Sequence, residues 1–192
     1  MYFTSDLHLG HEKVADMRGF KSVEAHDETI ANNWMEAVGK NDVVYILGDI
    51  SCCSRRSEIA ALDLIEALPG TKRLIAGNHD SVWAGNRHAW RNMRMFHEVF
   101  EGVAPFARLR WNREPVLLSH FPYDGDHTRE DRHREFRLKD HGMPLLHGHT
   151  HSSHKFSKSR FGTLQIHVGV DAWDFTPVDL NKVFREGNLW AN

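Results

Sequence analysis

Asn41-Asp42-Val43-Val44-Tyr45-Ile46-Leu47-Gly48-Asp49-Ile50 is the stretch whose reading decides the fold. Val43 to Leu47 is an unbroken apolar run, β-branched and aromatic, flanked at once by turn formers, which favours a buried strand over a helix. Gly48-Asp49 then sets a carboxylate at that strand's carboxyl end. Upstream, residues 27–38 read as a helix. Ile30, Trp34 and Val38 form its apolar stripe, Ala31, Met35 and Ala37 widen it, and Asp27 is the expected N-cap. Downstream, Ile59, Leu62, Ile65 and Leu68 predict a helix over 55–68 that stops at Pro69-Gly70. Residues 73–76 read as the next strand and 86–96 as a third helix. Strand and helix alternate, so parallel crossovers and an α/β layered fold are expected.

The second half changes character. Residues 99–111, 115–119, 143–147 and 163–170 read as strands with shorter connections. Asn112-Arg113-Glu114 and Arg160-Phe161-Gly162 read as turns. A second, mixed sheet packed on the first is expected. Residues 128–139 carry interspersed Arg, Lys, Asp and Glu, a pattern typical of a solvated helix or loop. No repeat or low-complexity linker divides the chain, so one domain over 1–192 is expected.

Composition narrows the function classes. At 192 residues, 41% hydrophobic and 26% charged, the chain reads as an ordinary soluble domain, neither disordered nor membrane-spanning. A candidate strand begins at Tyr2 with no secretory signal before it. The formal net charge of -2 argues against strong sequence-independent nucleic-acid binding but leaves a small phosphorylated substrate open. Cys52 and Cys53 are adjacent and poorly placed to bridge each other, which points to a reducing compartment and a cytoplasmic location.

Metal-competent side chains follow five apolar runs: Asp6-Leu7-His8, Gly48-Asp49, Gly77-Asn78-His79-Asp80, Ser119-His120 and Gly148-His149-Thr150-His151. Groups at the carboxyl ends of neighbouring strands share one edge of the sheet, where open α/β sheets bind ligands. On extended backbone, Asp6 and His8 would leave the same face, and His149 and His151 repeat that spacing. Taken singly, each segment also fits a bland reading: a polar turn, or a core histidine at position 120. Their joint order favours a metal-centred hydrolytic site.

The five motifs, in this order, resemble the signature of the calcineurin-like metallophosphoesterases, most closely the small single-domain bacterial and phage type. The likeness runs from position 6 to position 151, with Val168-Gly169-Val170-Asp171 as a further match near the end. The resemblance implies two mixed sheets packed as a sandwich and flanked by helices, with two divalent ions at one edge. Asp6, His8, Asp49 and His151 would hold the first ion. Asp49, Asn78, His120 and His149 would hold the second, with Asp49 bridging. His79, and Asn78 beside it, would contact the substrate phosphate, and His79 would assist the leaving oxygen. His11 is a further phosphate contact or simply the start of a short helix. Mixed oxygen and nitrogen ligands suit Mn above all, and also Fe, Zn or Ni.

One departure bears on substrate. Family members acting on phosphoproteins or dinucleoside tetraphosphates follow Gly-Asp with Asp-Arg-Gly, whereas Gly48-Asp49 is followed by Ile50-Ser51-Cys52. A small phosphodiester is therefore expected: a cyclic nucleotide, a nucleotide, or a short nucleic acid as substrate. The alternatives are a phosphomonoesterase or protein phosphatase of the same fold, or a non-catalytic scaffold. A metalloprotease lacks its His-Glu-x-x-His motif here. His147 and His167 read as core groups or supports for the ligands. One of Asp171, Trp173 and Asp174 is placed to orient a ligand histidine. Trp83, Trp90, Trp111 and Trp190 read as packing residues.

Overall fold

The computed structural model describes residues 1–52 and 54–187, so Cys53 and Trp190 lie outside the described residues. Two five-stranded sheets are built as expected. The first sheet contains β1 (Tyr2–Thr4), β2 (Val43–Ile46), β3 (Thr71–Ile75), β4 (Gly102–Ala104) and β10 (Val178–Asp179), in the order β10-β1-β2-β3-β4. Its first four strands are parallel and β10 is antiparallel. The second contains β5 (Phe106–Trp111), β6 (Glu114–Ser119), β7 (Leu145–His147), β8 (Phe156–Lys158) and β9 (Leu164–His167), in the order β5-β6-β7-β9-β8. There β6, β7 and β9 are parallel, and the edges β5 and β8 run antiparallel.

Side-chain alternation along the strands creates two apolar layers. Phe3, Tyr45, Leu47 and Ile75 meet Val116, Leu118, Leu146 and Ile166 between the sheets. Val44, Ile46 and Leu74 face the other way, onto Ile30, Trp34, Leu62, Ile65 and Phe96. Those last five residues come from α2 (Val23–Ala37), α3 (Arg55–Ala67) and α4 (Ala89–His97). Trp34 is fully buried and its indole N–H donates to the Pro69 carbonyl at 3.0 Å, so burial leaves no polar orphan there.

Several boundaries differ from the sequence reading. Helix α2 starts at Val23, capped by Ser22, whose hydroxyl accepts from Ala25 N–H. Asp27 is not the cap: it accepts from Gly10 N–H at 2.9 Å and pairs with His26. The expected strand over 99–111 is two strands, β4 and β5, which belong to different sheets on either side of Pro105. Proline supplies no ladder donor, and the change of sheet falls there. The β5–β6 turn holds Asn112 and Arg113 at φ 45° and 73°, the positive values a tight hairpin requires. Short elements had too little periodicity to read: α1 (Glu12–Met17), β8, β10 and α5 (Leu180–Glu186). Trp83 and Trp111 pack against aromatic neighbours as expected, but Trp90 is 89% exposed.

Candidate metal centre

Parallel pairing does not stop where the strands do. Asp6, His8 and Leu9 N–H groups donate in turn to the Gly48, Asp49 and Ile50 carbonyls, each at 3.0 Å, so the first motif runs alongside the second. Gly148 N–H likewise donates to the His120 carbonyl. Gly48, at φ +90°, makes the close approach: a Cβ there would lie 2.5 Å from Gly77 N.

The two-residue spacing converges side chains by a different route from the one expected. Asp6, His8, Asp49, His149 and His151 all adopt left-handed backbone, with φ 57°, 47°, 57°, 68° and 48°. Alternate residues in a kinked loop, rather than one face of an extended strand, turn inward. Non-glycine residues held there cost on the order of 1 kcal/mol or more each and persist where the surroundings fix them. Here backbone donors and carboxylates do the fixing. Asp6 accepts from His149 N–H at 3.0 and 3.1 Å. Asp49 accepts from His79 N–H at 2.9 Å. Asp80, unassigned in the sequence reading, accepts from Gly77, Asp49 and Ile50 N–H at 2.7, 3.1 and 3.0 Å, tying two motifs together.

Within this frame Asp49 sits between two groups. Its Oδ2 lies 3.8 Å from His8 Nε2 and 3.4 Å from His120 Nε2. On one side His8 Nε2 faces His151 Nε2 at 3.1 Å, and His151 Nε2 is 4.0 Å from Asp6 Oδ1. On the other, His120 Nε2 lies 3.1 Å from Asn78 Oδ1. His120 Nδ1 is 2.7 Å from the Leu47 carbonyl, which can only accept, so the ring proton is on Nδ1. The Nε2 lone pair then faces Asn78 Oδ1 and Asp49 Oδ2.

The donor set of carboxylate, amide oxygen and imidazole converging here fits a divalent metal. The titration shifts agree. Burial, reinforced by Asp6, pushes Asp49 well above the ordinary carboxylate range. Burial and then Asp49 push Asp80 up to about 7. Burial alone would raise Asp6 too, but His167, His151 and His120 hold it well below the usual range. Burial keeps His8 and His151 neutral, the form that ligates. Asp6, His8 and His151 form one cluster able to hold an ion, and Asp6, Asp49 and His120 another.

Residues 1–153 match the family model for calcineurin-like phosphoesterases. The chain belongs to that family. It is 49% identical over 180 residues to the Gene 66 protein of Mycobacterium phage L5, covering 90% of this chain and 86% of the phage protein. The Gene 66 protein of Mycobacterium phage D29 is 48% identical over 185 residues, covering 93% and 92%. A solved protein of unknown function from Aquifex aeolicus shares the fold: TM-score 0.71, 24% identity, 97% and 98% of the two chains covered. Family membership makes the chain a metallophosphoesterase, a class that uses divalent metals.

Other predicted residues are distributed around this centre. The exposed His79 ring stands 5.4 Å from the His8 ring. Crowding on its inner side, then His120, His11 and His151, push it down to about 4. His11 both starts α1 and lines a cavity of about 1050 Å³, together with His8, His79 and His151. His149 is drawn aside: its Nε2 lies 3.0 Å from Asp126 Oδ2, and its ring centroid is 5.2 Å from that of His120. A second cavity of about 360 Å³ opens beside Asn78 and His79 and is lined by Arg55. His147 and His167 are buried, and His167 Nε2 is 3.6 Å from Asp6 Oδ2. Asp126, Asp80 and Arg18 had no assignment in the sequence reading. Asp126 follows Gly125 in a stretch readable only as a turn, and no spacing links it to position 149. Among the described residues no helix is long and apolar enough to cross a membrane.

Proposed function

We propose that this chain is a phosphodiesterase that hydrolyses small phosphodiesters, such as a cyclic nucleotide, a nucleotide or a short nucleic acid, using two divalent ions, most readily Mn. The observation that carries the reading is the approach of His120 Nε2 to Asn78 Oδ1 and Asp49 Oδ2 at 3.1 and 3.4 Å, across Asp49 from the His8–His151 pair. One ion would be held by Asp6, His8, Asp49 and His151, the other by Asp49, Asn78, His120 and His149. Such ions supply Lewis-acid polarisation of phosphoryl oxygens and a water of lowered pKa.

The chain's own groups do the rest. Asn78 and His79, at the head of the loop after β3, face the space a phosphoryl group would enter, and His11 lies at its margin. Anionic substrate beside His79 raises the pKa of that ring from about 4, so it can carry the proton the leaving oxygen needs. A diester is favoured because Ile50-Ser51-Cys52 replaces the arginine-bearing triplet that would match a dianionic monoester. The cavity of about 1050 Å³ leaves room for substituents on both sides of the phosphorus. A reducing, cytoplasmic setting is consistent with the cysteine pair.

A hydrolysis panel with Mn tests the substrate class: a monoester, an acyclic diester and 2′,3′- and 3′,5′-cyclic nucleotides. Diester turnover is expected, and turnover of the monoester alone would overturn the preference. His79→Ala is expected to keep its metal and lose at least about tenfold in turnover. Full metal content with unchanged turnover removes His79 from the mechanism.

A further inference from the structure

Both histidines of Gly148-His149-Thr150-His151 have an aspartate partner from outside the five motifs, and each aspartate is gripped by arginine. His149 Nε2 lies 3.0 Å from Asp126 Oδ2. The Asp126 side chain is covered, takes Arg132 at 3.0 Å, and lies 3.6 Å from Arg137. On the other side, His151 Nδ1 lies 3.5 Å from Asp171 Oδ2, a longer ion-pair contact than the His149–Asp126 hydrogen bond. Asp171 receives both Nε and Nη2 of the buried Arg18, at 2.8 and 2.7 Å. Arg18 Nη2 also donates to the Asp6 carbonyl at 2.8 Å, and Arg18 Nη1 lies 2.9 Å from His26 Nε2. His26 in turn pairs with Asp27, the acceptor of Gly10 N–H, so this clamp closes on the loop that carries Asp6 and His8.

The two contacts use opposite ring nitrogens. A carboxylate can only accept, so it fixes a proton on the nitrogen it meets and leaves the lone pair on the other. We infer that Asp126 and Asp171 are positioning residues which set opposite tautomers on the two histidines: Nε2–H on His149 with Nδ1 as its ligand atom, and Nδ1–H on His151 with Nε2 as its ligand atom. The inference rests on the two-ion reading above. It explains why the clamps are arginine-bound. An unmatched carboxylate beside the ions would compete for them, whereas Asp126 and Asp171 are already neutralised and can act only through the imidazoles. On this inference the cluster of Asp126, His127 and His149, whose groups lie close enough to hold an ion, serves instead as a support for one.

Each clamp serves a different ion, and the test uses that. In ¹⁵N-histidine spectra of the metal-free protein, His149 should show the Nε2–H tautomer and His151 the Nδ1–H tautomer. Asp126→Ala should release only the first and Asp171→Ala only the second. Calorimetric titration with Mn should resolve two classes of site in the wild type. Asp126→Ala should weaken one class about 10–100-fold and Asp171→Ala the other, with Asn variants intermediate because their amide oxygen still accepts. Circular dichroism and chelator-treated melting of the Asn variants guard against a folding defect. One shared tautomer for both histidines, or both variants weakening the same class, both classes equally or neither, overturns the inference. Fewer than two Mn per wild-type chain defeats the dinuclear reading instead, and the tautomer spectra still decide the clamps.

Discussion

The carboxyl ends of the two sheets contribute to one centre by different means. At the end of the first sheet, Asp6, Asp49 and Asn78 sit on loops that continue the β1–β2–β3 ladder. There, backbone donors bond to carboxylates: His149 N–H to Asp6, His79 N–H to Asp49, and three N–H groups to Asp80. At the end of the second sheet, His149 and His151 depend on side chains from far away: Asp126, Asp171, and through them Arg132, Arg137 and Arg18. Backbone bonding predicts that the first half is rigid and varies only at a cost to the fold. If the proposed ligand roles hold, side-chain clamping predicts an adjustable second half, in which His149 and His151 are retuned by residues outside the five motifs.

The largest expected effect tests that rigidity. Asp80→Ala orphans three buried N–H groups, at about 1 kcal/mol or more each. For a chain of this size that means a Tm lower by roughly 6–12 °C in chelator. A fall of less than about 2 °C would show that the backbone bonds to Asp80 do not hold the two loops, and the contrast between the halves would fail.

The same contrast decides what the sequence could reveal. The first-sheet motifs were legible because their geometry is local: an apolar run, a glycine where backbones touch, and a ligand within a residue or two. The two-sheet architecture followed from strand spacing, with errors where one residue changes the outcome, as at Pro105 between β4 and β5. The Asp171 clamp was legible in part, since Asp171 was one of three residues expected to orient a ligand histidine, but nothing in the sequence pairs position 126 with 149 or 18 with 171. Both pairings come from loop geometry. The left-handed backbone at five of the proposed ligand positions was hidden as well, since none of those residues is glycine.

An intermediate effect concerns acid. Burial, then His167, pushes His147 down to about 3, and burial, then His120, pushes His149 to about 3. Unfolded, each titrates near 6.5. Between those values the unfolded chain binds the extra proton, so stability falls as pH drops from about 6.5. Asp80, raised to about 7, works the other way, taking up its proton in the folded state first. Asp49, also pushed up, sides with Asp80, while His8, His79 and His151, also pushed down, side with these two histidines. The histidines outnumber the carboxylates, and metal-free protein should lose stability from pH 6.5 to 4.5. His147→Asn removes one of these contributions and keeps a donor for the Gly148 carbonyl, so its acid slope should be shallower by close to one proton. Urea titrations across that range measure the slope. Identical slopes in the two proteins would mean that His147 does not stay neutral in the folded state.

The smallest effect on stability belongs to the outer wall of the second half. Arg132 is 38% exposed on its side chain and shares Asp126 with Arg137 and His149. Removing its side chain leaves Asp126 with Arg137, His149, His127 and the backbone N–H groups of Thr128 and Arg132 and creates no buried orphan, because the guanidinium was reachable by water. Exposed ion pairs of this kind contribute less than about 1 kcal/mol. Arg132→Ala should therefore shift Tm by no more than about 4 °C, well short of Asp80→Ala. If differential scanning calorimetry instead finds the two losses equal, the second sheet's end is as rigidly built as the first. Its clamps would then be part of the fold's frame, and retuning the histidines would not be separable from unfolding the protein.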